Sequence, residues 1–487
     1  MLYQDLLSGL IAYALEKQLI GTDEVTTRLG FLCDLFQCEQ VAYDDQIRRP
    51  FHELMTECLD SLYNRGLIDL NTIDERDLFE AKIMDLIMPS PKIVKETFKA
   101  LYQHAPWDAT DYLYKLSKDV NYIKTKRLKE NIDWIHDSPY GKLQMTINLA
   151  KPEKDPRDIA NALKAKEIQV SDRPLCVICK ENEQNEWNAR KNLRIVPITL
   201  GGELWHFQYS PYLYYNEHAI ILHDVHKPMK ITHQTFDFLF DFLNQFPTYF
   251  IGSNADLPIV GGSILSHDHF QAGRHHFPIQ DAKPIRSFHH VKNLTIEHLN
   301  WPMSTIRLKS KDQQLIKDYA CHIFDIWKHY TNVSLQIISN TKEVRHNTIT
   351  PIARLTAEGY EVDLILRNNR TSEEYPDGIF HPHPDVHHIK KENIGLIEAM
   401  GLAILPGRLK SELDLIEKVM VHNHPFDPSL DKHLDWMESL KKLPKLDSKV
   451  LYEQVGKKFE RVLIDSGVFK LDFEGIRAMH HIIMELD

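Results

Sequence analysis

Gly261-Gly262-Ser263-Ile264-Leu265-Ser266-His267-Asp268-His269-Phe270-Gln271 is the stretch on which the reading of this 487-residue chain turns. Residues 264–271 predict a β-strand, whose side chains alternate between two faces. His267, His269 and Gln271 then share one face, and Asp268 and Phe270 the other. The Gly-Gly-Ser turn before them lets a phosphate approach the backbone. Two imidazoles and a neutral amide beside such a turn suit transfer of a phosphoryl or nucleotidyl group through a covalent histidine intermediate.

The H-x-H pair alone is weak evidence. With 27 histidines, chance supplies about one or two such triplets, and the chain has at least three, the others being His381/His383 and His422/His424. Gln271 and the glycine turn add the specificity. A neutral His269 attacks phosphorus well and leaves well from the phosphoramidate. His267 would fix that ring's orientation and tautomer by ligating a metal or donating to a carbonyl. Gln271 donates to phosphate oxygens but is no general base, which favours transfer over hydrolysis. Asn254, Gly262 and Ser263 are further candidates for holding the phosphate. Arg274 is a candidate for charge-assisted contacts to it.

Composition narrows the class. A net charge of −11 argues against a general nucleic-acid binder. No run of about 18 uncharged apolar residues occurs, so no membrane span is expected. Residues 1–20 read as an amphipathic helix and not as a signal peptide. Six cysteines in so long a chain are too few for a disulfide scaffold, so a cytoplasmic protein is expected.

The chain divides into a helical region 1–140, a first α+β half 141–285 carrying the nucleophile, a second α+β half 286–410, and a helical region 411–487. Strands are expected at 193–200, 204–209, 212–215, 219–222, 249–251 and 264–271, interrupted by a helix that Thr232 caps and Phe236, Leu239, Phe240 and Leu243 bury. The second half predicts a helix over 311–330, strands over 333–338, 344–355 and 361–367, and a helix over 391–405.

Cys176-Val177-Ile178-Cys179 has three readings: half of a zinc site completed by distant histidines, with His218 and His267 the candidates; a pair of buried thiols; or a redox pair. The stiff turn His381-Pro382-His383-Pro384-Asp385-Val386-His387-His388 offers ligands for a second metal or a sugar phosphate. Lys391 and Glu398, on the helix expected after it, are candidate substrate contacts.

Taken together, the chain resembles the galactose-1-phosphate uridylyltransferases, in particular the second class found in Gram-positive bacteria. The resemblance lies in Ser266-His267-Asp268-His269-Phe270-Gln271, in Phe207-Gln208-Tyr209-Ser210-Pro211 with Asn216-Glu217-His218, in Asp363-Leu364-Ile365-Leu366-Arg367-Asn368-Asn369-Arg370, and in His387-His388-Ile389-Lys390-Lys391-Glu392-Asn393-Ile394-Gly395. Ala109-Thr110-Asp111-Tyr112 and Asn148-Leu149-Ala150-Lys151-Pro152-Glu153 add to it. It implies an α+β fold of the histidine-triad superfamily with two related antiparallel-sheet halves, acting as a homodimer. It also implies ping-pong exchange between UDP-glucose and galactose 1-phosphate through a uridylyl group on His269, and no organic cofactor. Cys176, Cys179, His218 and His267 match the positions of a structural zinc site in the first class. That class has Pro and Gly where Asp268 and Phe270 stand here. A diadenosine tetraphosphate phosphorylase or nucleotidyl hydrolase of the same superfamily is the alternative.

Overall fold

The computed structural model describes residues 2–150, 174–262, 264–289 and 291–486. Ser263, and residues 151–153 of the resemblance, lie outside them.

The N-terminal region is helical through Leu2–Glu16, Val25–Phe36, Phe51–Asn64, Ile73–Leu86, Pro91–His104 and Pro106–Asp119. Ser90 caps the fifth of these, and Pro91 occupies its first turn, where a missing N–H costs nothing. Leu6, Leu7, Leu10, Ile11 and Ala14 form the buried stripe of the first helix. The region is not helical to its end. Strand β1 (Ile132–Ser138) and strand β2 (Gly141–Ile147) form a hairpin across residue 140.

The centre is one continuous antiparallel sheet of ten strands. In chain order its first five are β3 (Val196–Leu200), β4 (Glu203–Tyr209), β5 (Ala219–His223), β6 (Phe250–Gly252) and β7 (His269–Gly273). Next come β8 (Pro284–Phe288), β9 (Thr295–Leu299), β10 (Thr305–Ser310), a small separate hairpin of β11 (Asn340–Thr341) and β12 (Val344–Arg345), then β13 (Asn347–Thr356) and β14 (Gly359–Asn368). The spatial order is β3-β4-β5-β7-β6-β13-β14-β10-β9-β8. Each half follows the same path, three strands, a helix, then a pair laid back in reverse, and the halves meet at β6 and β13. The helices are His233–Gln245, with Thr232 at its N-cap as expected, and Gln313–His329. The two related halves therefore share one sheet.

The register makes the relation residue-specific. Ile251 pairs with Ala353 across the junction, Ile251 also pairs with Ala272, and Ala353 with Val362. Counting outward, Gly359 stands where the first half has His269, Glu361 where it has Gln271, and Arg307 where it has His218.

One face of the sheet packs against the two crossover helices; Phe270, for example, stacks 5.0 Å from Trp205. The opposite face is covered by the chain beyond residue 380 and the β1–β2 hairpin. There β15 (Leu402–Leu405) pairs in parallel with β2. This corrects the helix expected over 391–405: only Leu396–Ala399 is helical before the chain turns at Gly401 into β15. Residues 212–215 form a turn, and Val333–Leu335 is a single 3-10 turn in place of a strand.

In the second half this covered face carries a buried ionic cluster. Asp363 is fully buried and accepts from Arg307 Nε at 2.6 Å and from Arg354 Nη2 at 2.6 Å. Burial alone would raise its pKa, but the two guanidinium groups outweigh that and hold it at about 2. Asp363→Asn leaves two buried guanidinium groups to share the single carboxylate of Glu361 and should destabilise the protein by about 3 kcal/mol, read as a lower denaturation midpoint. Because the native value lies below the ordinary 3.8, the carboxylate's contribution is present above that pH and is lost as pH falls towards 2.

Candidate active site

Strand β7 begins at His269, five residues later than the sequence pattern suggests. From there alternation holds. Phe270 and Ala272 enter the helix-side core, while His269, Gln271 and Gly273 face the other way. His267 sits in the bend before the strand and does not share the face of His269. Its ring turns to the cysteine pair instead.

His269 is 5% exposed, and its Nδ1–H donates to the carbonyl oxygen of His267 at 2.8 Å. A neutral imidazole carries one N–H, so this bond leaves the lone pair on Nε2. Burial pushes the ring's pKa down to about 4, keeping it uncharged at neutral pH. A buried, oriented and neutral Nε2 is what nucleophilic attack on phosphorus needs. The second half has Gly359 at this place, with φ +127° at the turn between β13 and β14, so it has no imidazole matching His269.

Gln271 is half-buried beside His269, and its Oε1 has no hydrogen-bond partner. His218 lies against Gln271 and feels the charge of His269. It is 3% exposed, and burial lowers its pKa to about 3. Asn254 Oδ1 accepts from the backbone N–H of Leu396 at 2.8 Å, leaving its amide N–H groups toward the glycine turn. A Cβ on Gly262 would stand 2.7 Å from Asn254 Nδ2, so only glycine permits this approach.

Two candidates move. Arg274 is bound to Glu217 and Asp111. It falls in step with Phe270 and Ala272, away from His269, so it braces the back of the sheet. Lys391 is exposed, whereas Lys390 is buried and holds Glu398 at 3.0 Å. Glu398 in turn acts electrostatically on Tyr214, which stacks on His218, and on Arg367. Arg367 was legible only as part of a motif. It is 1% exposed, donates through Nη2 to the carbonyl of Ile394, and leaves Nε and Nη1 without partners. Burial lowers its pKa to about 10, so it remains a cation beside the site.

Cys176, Cys179, His226 and His267 bring four ligand atoms within 4.8 Å of one another. Cys179 Sγ lies 3.2 Å from His226 Nδ1 and 3.5 Å from His267 Nδ1, and Cys176 Sγ lies 3.4 Å from Cys179 Sγ. Those edges are close to the roughly 3.5–3.8 Å expected around a tetrahedral zinc with S and N ligands. His267 Nε2–H donates to the carbonyl of His223 at 2.8 Å, which turns Nδ1 toward the thiols. His226 therefore occupies the place expected for His218, which is not among the four. Among the described residues, the His-rich turn gathers no comparable set. His381 meets Asn393, His383 and His387 meet backbone carbonyls, and His388 meets His433.

Residues 46–228 match the model described as galactose-1-phosphate uridyl transferase, N-terminal domain, and residues 242–438 match its C-terminal domain. The chain belongs to the galactose-1-phosphate uridylyltransferase family. It is 47% identical to the galactose-1-phosphate uridylyltransferase of Caldanaerobacter subterraneus subsp. tengcongensis, over 96% of this chain and 95% of that one. The namesake from Clostridium acetobutylicum is 45% identical over 98% of both chains, and that from Enterococcus faecalis 46% over 94% and 93%. Among solved structures, yeast Ap4A phosphorylase Apa2 in complex with AMP aligns at 14% identity and a TM-score of 0.35, covering 66% of this chain and 91% of that one. The glycine turn and the H-x-H-x-Q stretch both fall within residues 242–438, whereas Cys176, Cys179, His218 and His226 fall within 46–228.

Proposed function

We propose that this family member exchanges the uridylyl group between UDP-glucose and galactose 1-phosphate, giving glucose 1-phosphate and UDP-galactose. Nε2 of His269 attacks the α-phosphorus, the bond to the glucose 1-phosphate oxygen breaks, and that phosphate departs with the electron pair. Galactose 1-phosphate enters the emptied position, its phosphate oxygen attacks the same phosphorus, and the P–N bond breaks to restore the imidazole. Throughout, the His267 carbonyl keeps the proton on Nδ1 and spreads the positive charge of the uridylylated ring. Gln271, Asn254 and the turn at Gly262 hold phosphate oxygens, Arg367 offsets their charge, and Glu398 on Lys390 receives sugar hydroxyls. The hydrogen bond from His269 to the His267 carbonyl is the observation that carries this reading.

Zinc bound by Cys176, Cys179, His226 and His267 would supply a structural clamp on the bend that presents the His267 carbonyl. The reading includes a homodimer with no nucleic-acid or membrane partner, acting in the cytoplasm; no described helix is long and apolar enough to cross a membrane.

Incubation with UDP-glucose alone should add the mass of one uridylyl group to His269, discharged by galactose 1-phosphate. An adduct formed from diadenosine tetraphosphate and not from UDP-glucose would replace this reading with a phosphorylase.

A further inference from the structure

The ring of His218 is the least explained polar group near the nucleophile. It is 3% exposed, lies between Tyr214 at 5.3 Å and Tyr215 at 4.5 Å, and neither nitrogen has a hydrogen-bond partner. A buried imidazole with both nitrogens unmatched is costly and calls for an explanation. It is not a metal ligand here, since His226 completes that cluster. The polar side chain against it is Gln271, whose Oε1 is likewise buried and unmatched.

The two unmatched groups are complementary. A neutral imidazole has one N–H to give, and an amide oxygen can only accept. We propose that His218 is the residue that orients Gln271 during uridylyl transfer: its N–H donates to Gln271 Oε1, which turns the amide N–H groups toward the phosphate on His269. The proposal rests on the uridylyl-transfer reading above. The two side chains lie within interaction range of each other, with no hydrogen bond of full geometry between them.

The orientation matters because an amide has two unlike ends. Flipped, Gln271 presents its oxygen to phosphate oxygens, which repel it and lose a donor. Held by His218, it presents N–H groups throughout both half-reactions. The second half of the sheet supports the same logic in charged form. The positions matching His218 and Gln271 are Arg307 and Glu361, again a donor beside an acceptor, 3.5 Å apart. His218 acts through Gln271 and is therefore a positioning residue.

A double-mutant cycle tests this. Gln271→Ala is expected to lower kcat by about 10²–10³-fold, as for loss of a transition-state donor. His218→Phe, which keeps a ring between the tyrosines but no donor, should lower kcat by about 10–100-fold with little change in KM. In the Gln271→Ala background His218→Phe should cost nothing further, because the amide it orients is gone. His218→Asn, which retains an N–H donor, should recover part of the loss seen with His218→Ala. The cycle is run with Ala as well as Phe, so one misfolded variant leaves the test standing. Additive losses in the double variants, or full activity in His218→Phe, overturn the proposal. A Gln271→Ala enzyme as active as the parent, or no adduct on His269, would overturn the uridylyl-transfer reading instead.

Discussion

Replacing His269 by glycine should abolish exchange between UDP-glucose and galactose 1-phosphate, by on the order of 10⁴-fold or more in kcat. Removing a nucleophile whose activation the whole site serves has effects of that size. The substitution should leave the fold standing. His269 is the first residue of β7 and pairs with Leu222 through its backbone, which glycine retains. The ring faces away from the Trp205–Phe270 stack, so the helix-side core is untouched. The cost is that of a glycine at a strand end, about 1 kcal/mol, visible as a small fall in thermal midpoint. Two measurements decide the matter. The uridylyl mass should vanish from the protein. Exchange of labelled glucose 1-phosphate into UDP-glucose, which the parent should perform without galactose 1-phosphate, should vanish with it. Undiminished exchange, or exchange in the parent only when both sugar phosphates are present, would exclude the covalent route.

Much of this site was legible because alternation is a strong local rule. The strands β4, β5 and β6 fall close to where β-rich runs place them, and His269 and Gln271 share a face as their spacing requires. The same period of two puts Arg274 in step with Phe270 and Ala272, on the side away from phosphate, so its ion pairs with Glu217 and Asp111 agree with its spacing. The exchange of His226 for His218 has a different cause. Both flank β5, whose five residues span roughly 16 Å, so one end lies beside the cysteines and the other beside Gln271. Antiparallel pairing of Leu222 with His269 puts the His223 end next to His267. Residues 402–405 misled for want of length: four apolar residues fit a helix or a buried strand equally, and only pairing with β2 decides. Arg367 gave no local signal, since its isolation comes from residues beyond 380 folding over it.

Loss of the cysteine–histidine centre carries the second large expected effect. Cys179→Ser, or prolonged treatment with a strong chelator, should remove a stoichiometric divalent cation and lower the unfolding free energy by several kcal/mol, because cation binding to a site formed only in the fold adds directly to stability. The loss should reach catalysis as well. His267 at once turns Nδ1 to the cysteine pair and presents the carbonyl that accepts from His269 Nδ1–H. Freed from the cluster, the bend at His267 and Asp268 loses its side-chain tie to the cysteines and keeps the bond of His267 Nε2–H to the His223 carbonyl and the backbone bonds of Asp268 to Lys227 and His223, so the backbone stays while the His267 carbonyl is held less firmly. The nucleophile then samples both tautomers, and kcat should fall about 10–100-fold, the range seen when groups supporting a site are removed. His226→Ala should reproduce both effects, whereas His218→Ala should keep the full metal content while losing activity. Metal analysis of these two variants beside their thermal midpoints separates the assignments: a His218→Ala protein without metal, or a His226→Ala protein that keeps it, would return the fourth ligand to His218.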